Sequence, residues 1–131
     1  MILDKKDPTP DSIRKLVQDY PADQTVVMLN ILRFVEITNS GENGEKVYQR
    51  YGANAVKHLE KAGAKVLWAG KVISAVIGDD DGKPHQILLV EYASVQNFLD
   101  MVMSPEYQAI TKDRTMSLEY GGLYACQHLM K

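Results

Sequence analysis

Cysteine is almost missing from this chain: Cys126 is the only one in 131 residues. One thiol excludes an intrachain disulfide framework, and in an apolar stretch it reads as a small core residue rather than a nucleophile. Surplus charge is missing too. Lys and Arg number 15 against 17 Asp and Glu, a formal net charge of -2, so there is no electrostatic basis for a nucleic-acid or anionic-membrane partner. No apolar run approaches the roughly 20 residues of a membrane span, and Met1 to Pro8 carries no apolar leader segment. Together these absences predict a soluble protein of a reducing compartment, the cytoplasm. His58, His85 and His128 are scattered without metal-ligand spacing, so no metal and no cofactor are expected; His58 and His85 read as surface residues. Asp79-Asp80-Asp81 lacks calcium-loop spacing and reads as a solvated turn. A phosphate-binding glycine motif and a nucleophile elbow are both wanting, which leaves serine, cysteine and NAD-dependent chemistry unsupported.

What is present is a sequence of well-marked elements in one domain, residues 1–131, with residues 1–22 as an N-terminal helical extension. Thr9-Pro10-Asp11-Ser12 opens a short amphipathic helix that Pro21 ends. Thr25 to Phe34 is apolar and β-branched, a strand. Glu45 to Ala62 places Val47, Tyr48, Tyr51, Ala55 and Leu59 on one helical face, with Gly63 as its stop. A long strand is predicted over Ala64 to Gly78, then a turn around Asp81-Gly82, then a strand from His85 to Ala93. Ser94 caps the next helix. Ser104-Pro105 opens another helical stretch to about Asp113, and a last strand runs from Leu118 or Tyr120 to Leu129. The order helix, then β-α-β-β-α-(α)-β, predicts an α+β, ferredoxin-like split βαβ: one antiparallel sheet with its helices on one face.

The strands carry a further message. A sheet covered on one face should alternate apolar and polar residues. Here Val26, Met28 and Leu32 face one way while Val27, Leu29 and Ile31 face the other, and Ile87 to Val90 repeats the pattern. Both faces call for burial, yet helices cover one. A second copy packed on the other face, a homodimer, is the expected solution.

The chain carries, in this order, Asp7-Pro8-Thr9-Pro10, Val26 to Phe34, Tyr48 to Gly52, Gly63 to Gly70, Val76-Ile77-Gly78, Leu88 to Tyr92 and Ser104 to Ile110, with Arg114 following. In their order and spacing these segments resemble the domain-of-unknown-function 1330 family of the dimeric α/β-barrel superfamily. The resemblance implies a ferredoxin-like subunit whose sheet pairs with that of a second subunit to form a dimeric α/β barrel. It implies no single activity. The superfamily holds cofactor-independent oxygenases, isomerases, haem enzymes and non-catalytic domains, so fold does not carry function here.

The candidate ligand-binding residues are Asn30, Arg33, Tyr51, Trp68, Glu91, Tyr107 and Arg114. Asn30 is a lone amide in an apolar strand. It either bonds a neighbouring loop or the dimer partner, or it orients a ligand. Arg33 and Arg114 are solvated or paired charges, or forks for a carboxylate; Arg33 has Glu36 and Glu91 as prospective partners. The rings of Tyr51, Trp68 and Tyr107 are core, or the walls of a small-molecule cavity between sheet and helices. Glu91 pairs with Arg33 or a lysine, or it serves as a general base, the one catalytic candidate. Three functions follow: a small-molecule-binding domain, a cofactor-independent oxygenase or isomerase acting on a small aromatic or acidic substrate, or a non-catalytic interaction dimer.

Overall fold

The structure, a computed structural model, describes residues 6–130. Most of the stretch read for a leader, Met1 to Lys5, lies outside those residues. The chain runs α1 (Pro10–Asp19), β1 (Val26–Phe34), α2 (Gly44–Lys61), β2 (Lys65–Lys71), β3 (Gln86–Tyr92), α3 (Val95–Val102), α4 (Pro105–Gln108), α5 (Thr111–Ser117) and β4 (Leu118–Cys126). The strands form one four-stranded sheet in the order β2-β3-β1-β4, every neighbouring pair antiparallel. This is the expected ferredoxin-like α+β arrangement.

Local chemistry accounts for the element starts. Thr9 and Ser12 satisfy each other's backbone N–H in a capping box, with Pro10 in the first helical turn. The Asn43 side chain accepts from the Lys46 N–H at 3.0 Å, and Ser94 accepts from that of Asn97 at 3.1 Å. Gly44 opens α2 against β1, where any Cβ would collide with the Val35 carbonyl. Gly63, at φ +69°, ends that helix in the left-handed region.

The core lies on one face of the sheet. Val26, Met28, Leu32 and Phe34 of β1, Val90 and Tyr92 of β3 and Leu118 of β4 pack with Tyr48, Tyr51 and Ala55 of α2 and Phe98 and Leu99 of α3. Leu32 and Leu118 are fully buried, each burial stabilising by about 1.5–3 kcal/mol. Ile13 and Leu16 of α1, and Tyr20 just after it, lean on the same cluster.

Two strand ends differ from expectation. β2 stops at Lys71 instead of reaching Gly78, because its ladder with β3 closes at Lys71↔Gln86. Pro84 has no N–H to extend that ladder, and the His85 N–H is spent on the Leu32 carbonyl at 2.7 Å. Residues 72–85 therefore form an irregular loop, within which Asp81-Gly82 is one turn rather than a hairpin tip. β4 likewise ends at Cys126, where its pairing with Val27 ends. The Ser104-Pro105 segment opens α4 as expected, with the Ser104 hydroxyl accepting from the Tyr107 N–H at 3.2 Å. The helical stretch breaks at Ala109–Ile110 and resumes as α5. Cys126 is a half-buried residue rather than a core one.

Candidate functional site

A cleft of about 540 Å³ opens where β1 and β2 end and β3 and β4 begin, lined by Arg33, Phe34, Val35, Glu36, Asn43, Glu45, Lys71, Val72, His85 and Glu119. Its polar centre is Arg33. The side chain, 24% exposed, is held on two sides: Nε donates to Glu119 at 2.7 Å and Nη1 to the Lys83 carbonyl at 2.6 Å. Thus Arg33 pairs with Glu119, not with Glu36 or Glu91. Nη1 also lies 3.3 Å from His85 Nε2.

His85 is fixed by the strand beside it. The β1–β4 register shifts at Arg33/Phe34, and the β1–β3 ladder ends at Leu32↔Gln86. The Phe34 N–H consequently has no ladder acceptor, and His85 Nδ1 accepts it at 3.0 Å. The two rings stack, centroids 5.7 Å apart at 28°. Burial, and then the Arg33 guanidinium, pull the imidazole below its ordinary 6.5.

The remaining sequence candidates lie elsewhere. Asn30 sits on the helix-covered face, between Met28 and Leu32, and its amide donates to the Met28 and Leu88 carbonyls at 3.3 Å each. The backbone of the sheet thus supplies its partners. Tyr51 and Tyr107 are buried on the same side, their hydroxyls 2.5 Å apart. Burial pushes Tyr48 beside them up to about 12, and burial with the neighbouring Tyr107 pushes Tyr51 higher. Arg114 is buried, donates to the Lys6 carbonyl and lies 3.9 Å from Asp7. Glu91 pairs with His128 at 2.9 Å, not with Arg33 or a lysine.

Trp68 corrects the expected cavity outright. It is paired with Leu89, which lies on the face opposite the buried Val90, and the indole is 54% exposed. Tyr51 and Trp68 are therefore on opposite sides of the sheet and cannot wall one pocket. The open face carries a row across all four strands, Trp68, Leu89, Leu29 and Tyr124, with Ile87 and Ile31 beside it.

Two histidines read as surface residues are not. His85 is built into the cleft; a signal was available in Pro84-His85 at the mouth of a strand, where the ladder must stop. His58 is buried against Tyr107, rings 5.8 Å apart at 83°, and its Nε2 has no hydrogen-bond partner among the described residues. Its place on the apolar face of α2, seven residues after Tyr51, was legible. Among the described residues no group of three or more His, Cys, Asp or Glu is disposed to hold a metal ion, and no helix is long and apolar enough to cross a membrane.

The fold recurs in solved structures. A protein of unknown function from Rhodopseudomonas palustris is 26% identical with a TM-score of 0.90, the match covering 97% of this chain and 98% of that one. A dabb family protein with a ferredoxin-like fold from Mesorhizobium loti is 17% identical with a TM-score of 0.56, over 81% of this chain and 98% of that one. The hydroxynitrile lyase from Passiflora edulis is 14% identical with a TM-score of 0.60, over 83% of this chain and 99% of that one. The last two likenesses show the fold alone. No curated protein matches the sequence. The sequence profile of the domain of unknown function (DUF1330) matches residues 37–122, from the loop after β1 to the middle of β4, and the chain belongs to that family.

Proposed function

We propose that the protein is a homodimeric small-molecule-binding domain whose ligand site is the cleft around Arg33 and His85. The carrying observation is a largely buried guanidinium, held by Glu119 and Lys83, whose Nη2 has no partner among the described residues, at a cleft of about 540 Å³. That volume falls within the roughly 300–1,000 Å³ of small-molecule sites. The proposed site retains Arg33 and adds His85. Asn30, Tyr51, Tyr107 and Arg114 serve the packed core on this reading. Glu91 pairs with His128 and does not line the cleft, so binding there is preferred to catalysis through Glu91.

The dimer is proposed on the open sheet face. Leu29, Ile31, Ile87 and Leu89 lie on the face opposite the core and are only partly buried, and Trp68 and Tyr124 are more than half exposed. An apolar row of this kind is what a second copy would bury. A ferredoxin-like protein from Bacteroides fragilis, 11% identical with a TM-score of 0.56, is described as dimeric. Two sheets packed face to face through twofold symmetry would bury more than about 1,200 Å² in total. The single cysteine accords with a reducing, cytoplasmic setting.

Sedimentation equilibrium tests the dimer; a monomer at micromolar concentration sinks it. For the cleft, ligand-observed NMR against a library of small aromatic and acidic compounds should yield binders that Arg33→Ala abolishes. A library with no Arg33-dependent binder counts against the site.

A further inference from the structure

The hydrogen bonds around His85 define what kind of atom the cleft wants. A neutral imidazole has one N–H and one acceptor nitrogen. Two donors approach the ring: the Phe34 N–H at Nδ1, 3.0 Å, and Arg33 Nη1 at Nε2, 3.3 Å. Both cannot be accepted. The Phe34 N–H has no other acceptor among the described residues, whereas Arg33 Nη1 already donates to the Lys83 carbonyl at 2.6 Å. Nδ1 therefore accepts, and the proton sits on Nε2. That leaves Nε2–H and the guanidinium side by side, two donors with no acceptor between them.

Resting on the cleft reading above, we infer that the ligand presents the carbonyl oxygen of a neutral compound to the His85 Nε2–H and the Arg33 guanidinium together. A carboxylate fits less well. Arg33 is matched by Glu119 at 2.7 Å, and the cleft's other lining cation, Lys71, is outnumbered by Glu36 and Glu45. A neutral oxygen accepts from both donors without adding to that negative charge. The depression of the His85 proton affinity acts in the same direction, keeping the ring a neutral donor near pH 7.

The test uses benzamide and benzoate, a neutral carbonyl and a carboxylate on the same ring, titrated into ¹⁵N-labelled protein. Long-range ¹H–¹⁵N spectra, with the His85 ring assigned through His85→Asn, report the tautomer before any probe is added. We expect Nε2 protonated, and benzamide shifting the His85 and Arg33 side-chain signals at least about tenfold more tightly than benzoate. His85→Asn places an amide oxygen where Nδ1 accepts but loses the Nε2–H; it should fold normally and bind benzamide about tenfold more weakly. A proton on Nδ1, or preference for benzoate, overturns the inference while leaving the cleft reading intact. The expected tautomer with no response to either probe overturns both.

Discussion

The indole of Trp68 lies along β2 directly over Gly70, leaving no room for a Cβ there. At the opposite edge of the sheet the ring of Tyr124 covers Gly122 in the same way, with a Cβ at Gly122 only 3.3 Å from it. Gly70→Ala should lift the indole off the strand. The expected outcome is a shift in Trp68 fluorescence and a weaker dimer, read by emission spectra and sedimentation. An unchanged spectrum would mean that the ring does not rest on Gly70 in solution.

Charge on the open face should separate the proposed dimer. Ile31 stands between Ile87 and Gly122 in the row next to Leu29. In Ile31→Glu a carboxylate would have to be desolvated in the interface. The variant should sediment as a folded monomer with native far-UV circular dichroism. A persisting dimer would place the interface elsewhere.

The Tyr51 and Tyr107 hydroxyls satisfy each other at 2.5 Å in the core. Tyr51→Phe leaves Tyr107 without that partner and should cost about 1–3 kcal/mol, whereas the double replacement by Phe should cost less than the sum of the single ones. Denaturant melts of the four proteins give the coupling. Additive costs would show that the two hydroxyls are independent.

Acid should weaken the fold through His85. The folded imidazole is depressed below the ordinary 6.5, so the unfolded chain binds the proton first. This contribution is fully present above about pH 6.5 and is lost as pH falls toward the folded value, where protonation competes with the Phe34 N–H for Nδ1. Melting temperature should fall between pH 7 and 5.5, and His85→Asn should flatten the slope. An equal slope in the variant would assign the effect to other groups.

A second acid response is expected lower down. Arg50 clamps Glu42 at 2.8 Å and Asp113 at 2.9 Å, tying the loop before α2 to α5. Its hydrogen bonds hold both carboxyls below their ordinary 4.5 and 3.8. The contribution is fully present above those values and is lost as pH falls below them through the lower folded values. It should be small, since the arginine and Glu42 are largely solvated. Arg50→Ala should lower the melting temperature at pH 7 and by progressively less as pH falls below the ordinary carboxyl values; a loss that does not change with pH would show that the side chain matters through packing.

The order and type of the elements were legible in the chain because their causes are local. Thr9, Asn43, Ser94 and Ser104 cap helices through their own neighbours. Helical and strand spacings announce themselves within a dozen residues. The two-faced composition of β1 and β3 marked the open apolar face in the same way. Strand lengths were less legible, since Val72 to Gly78 has the composition of a strand but no partner to pair with.

The site was decided only by the tertiary structure. Strict alternation would put Val66 and Trp68 on one face, but the bulge between them sets Val66 against Val90 and Trp68 against Leu89, on opposite faces. No local signal places that bulge. The cleft depends in the same way on contacts across 50 or more residues of chain: Arg33 with Lys83, Phe34 with His85, Arg33 with Glu119. Sequence alone marked Arg33 as a solvated charge, a paired charge or a fork for an anion. Which partner it takes, and that a histidine from the far side of a loop joins it, follows from the register of three strands.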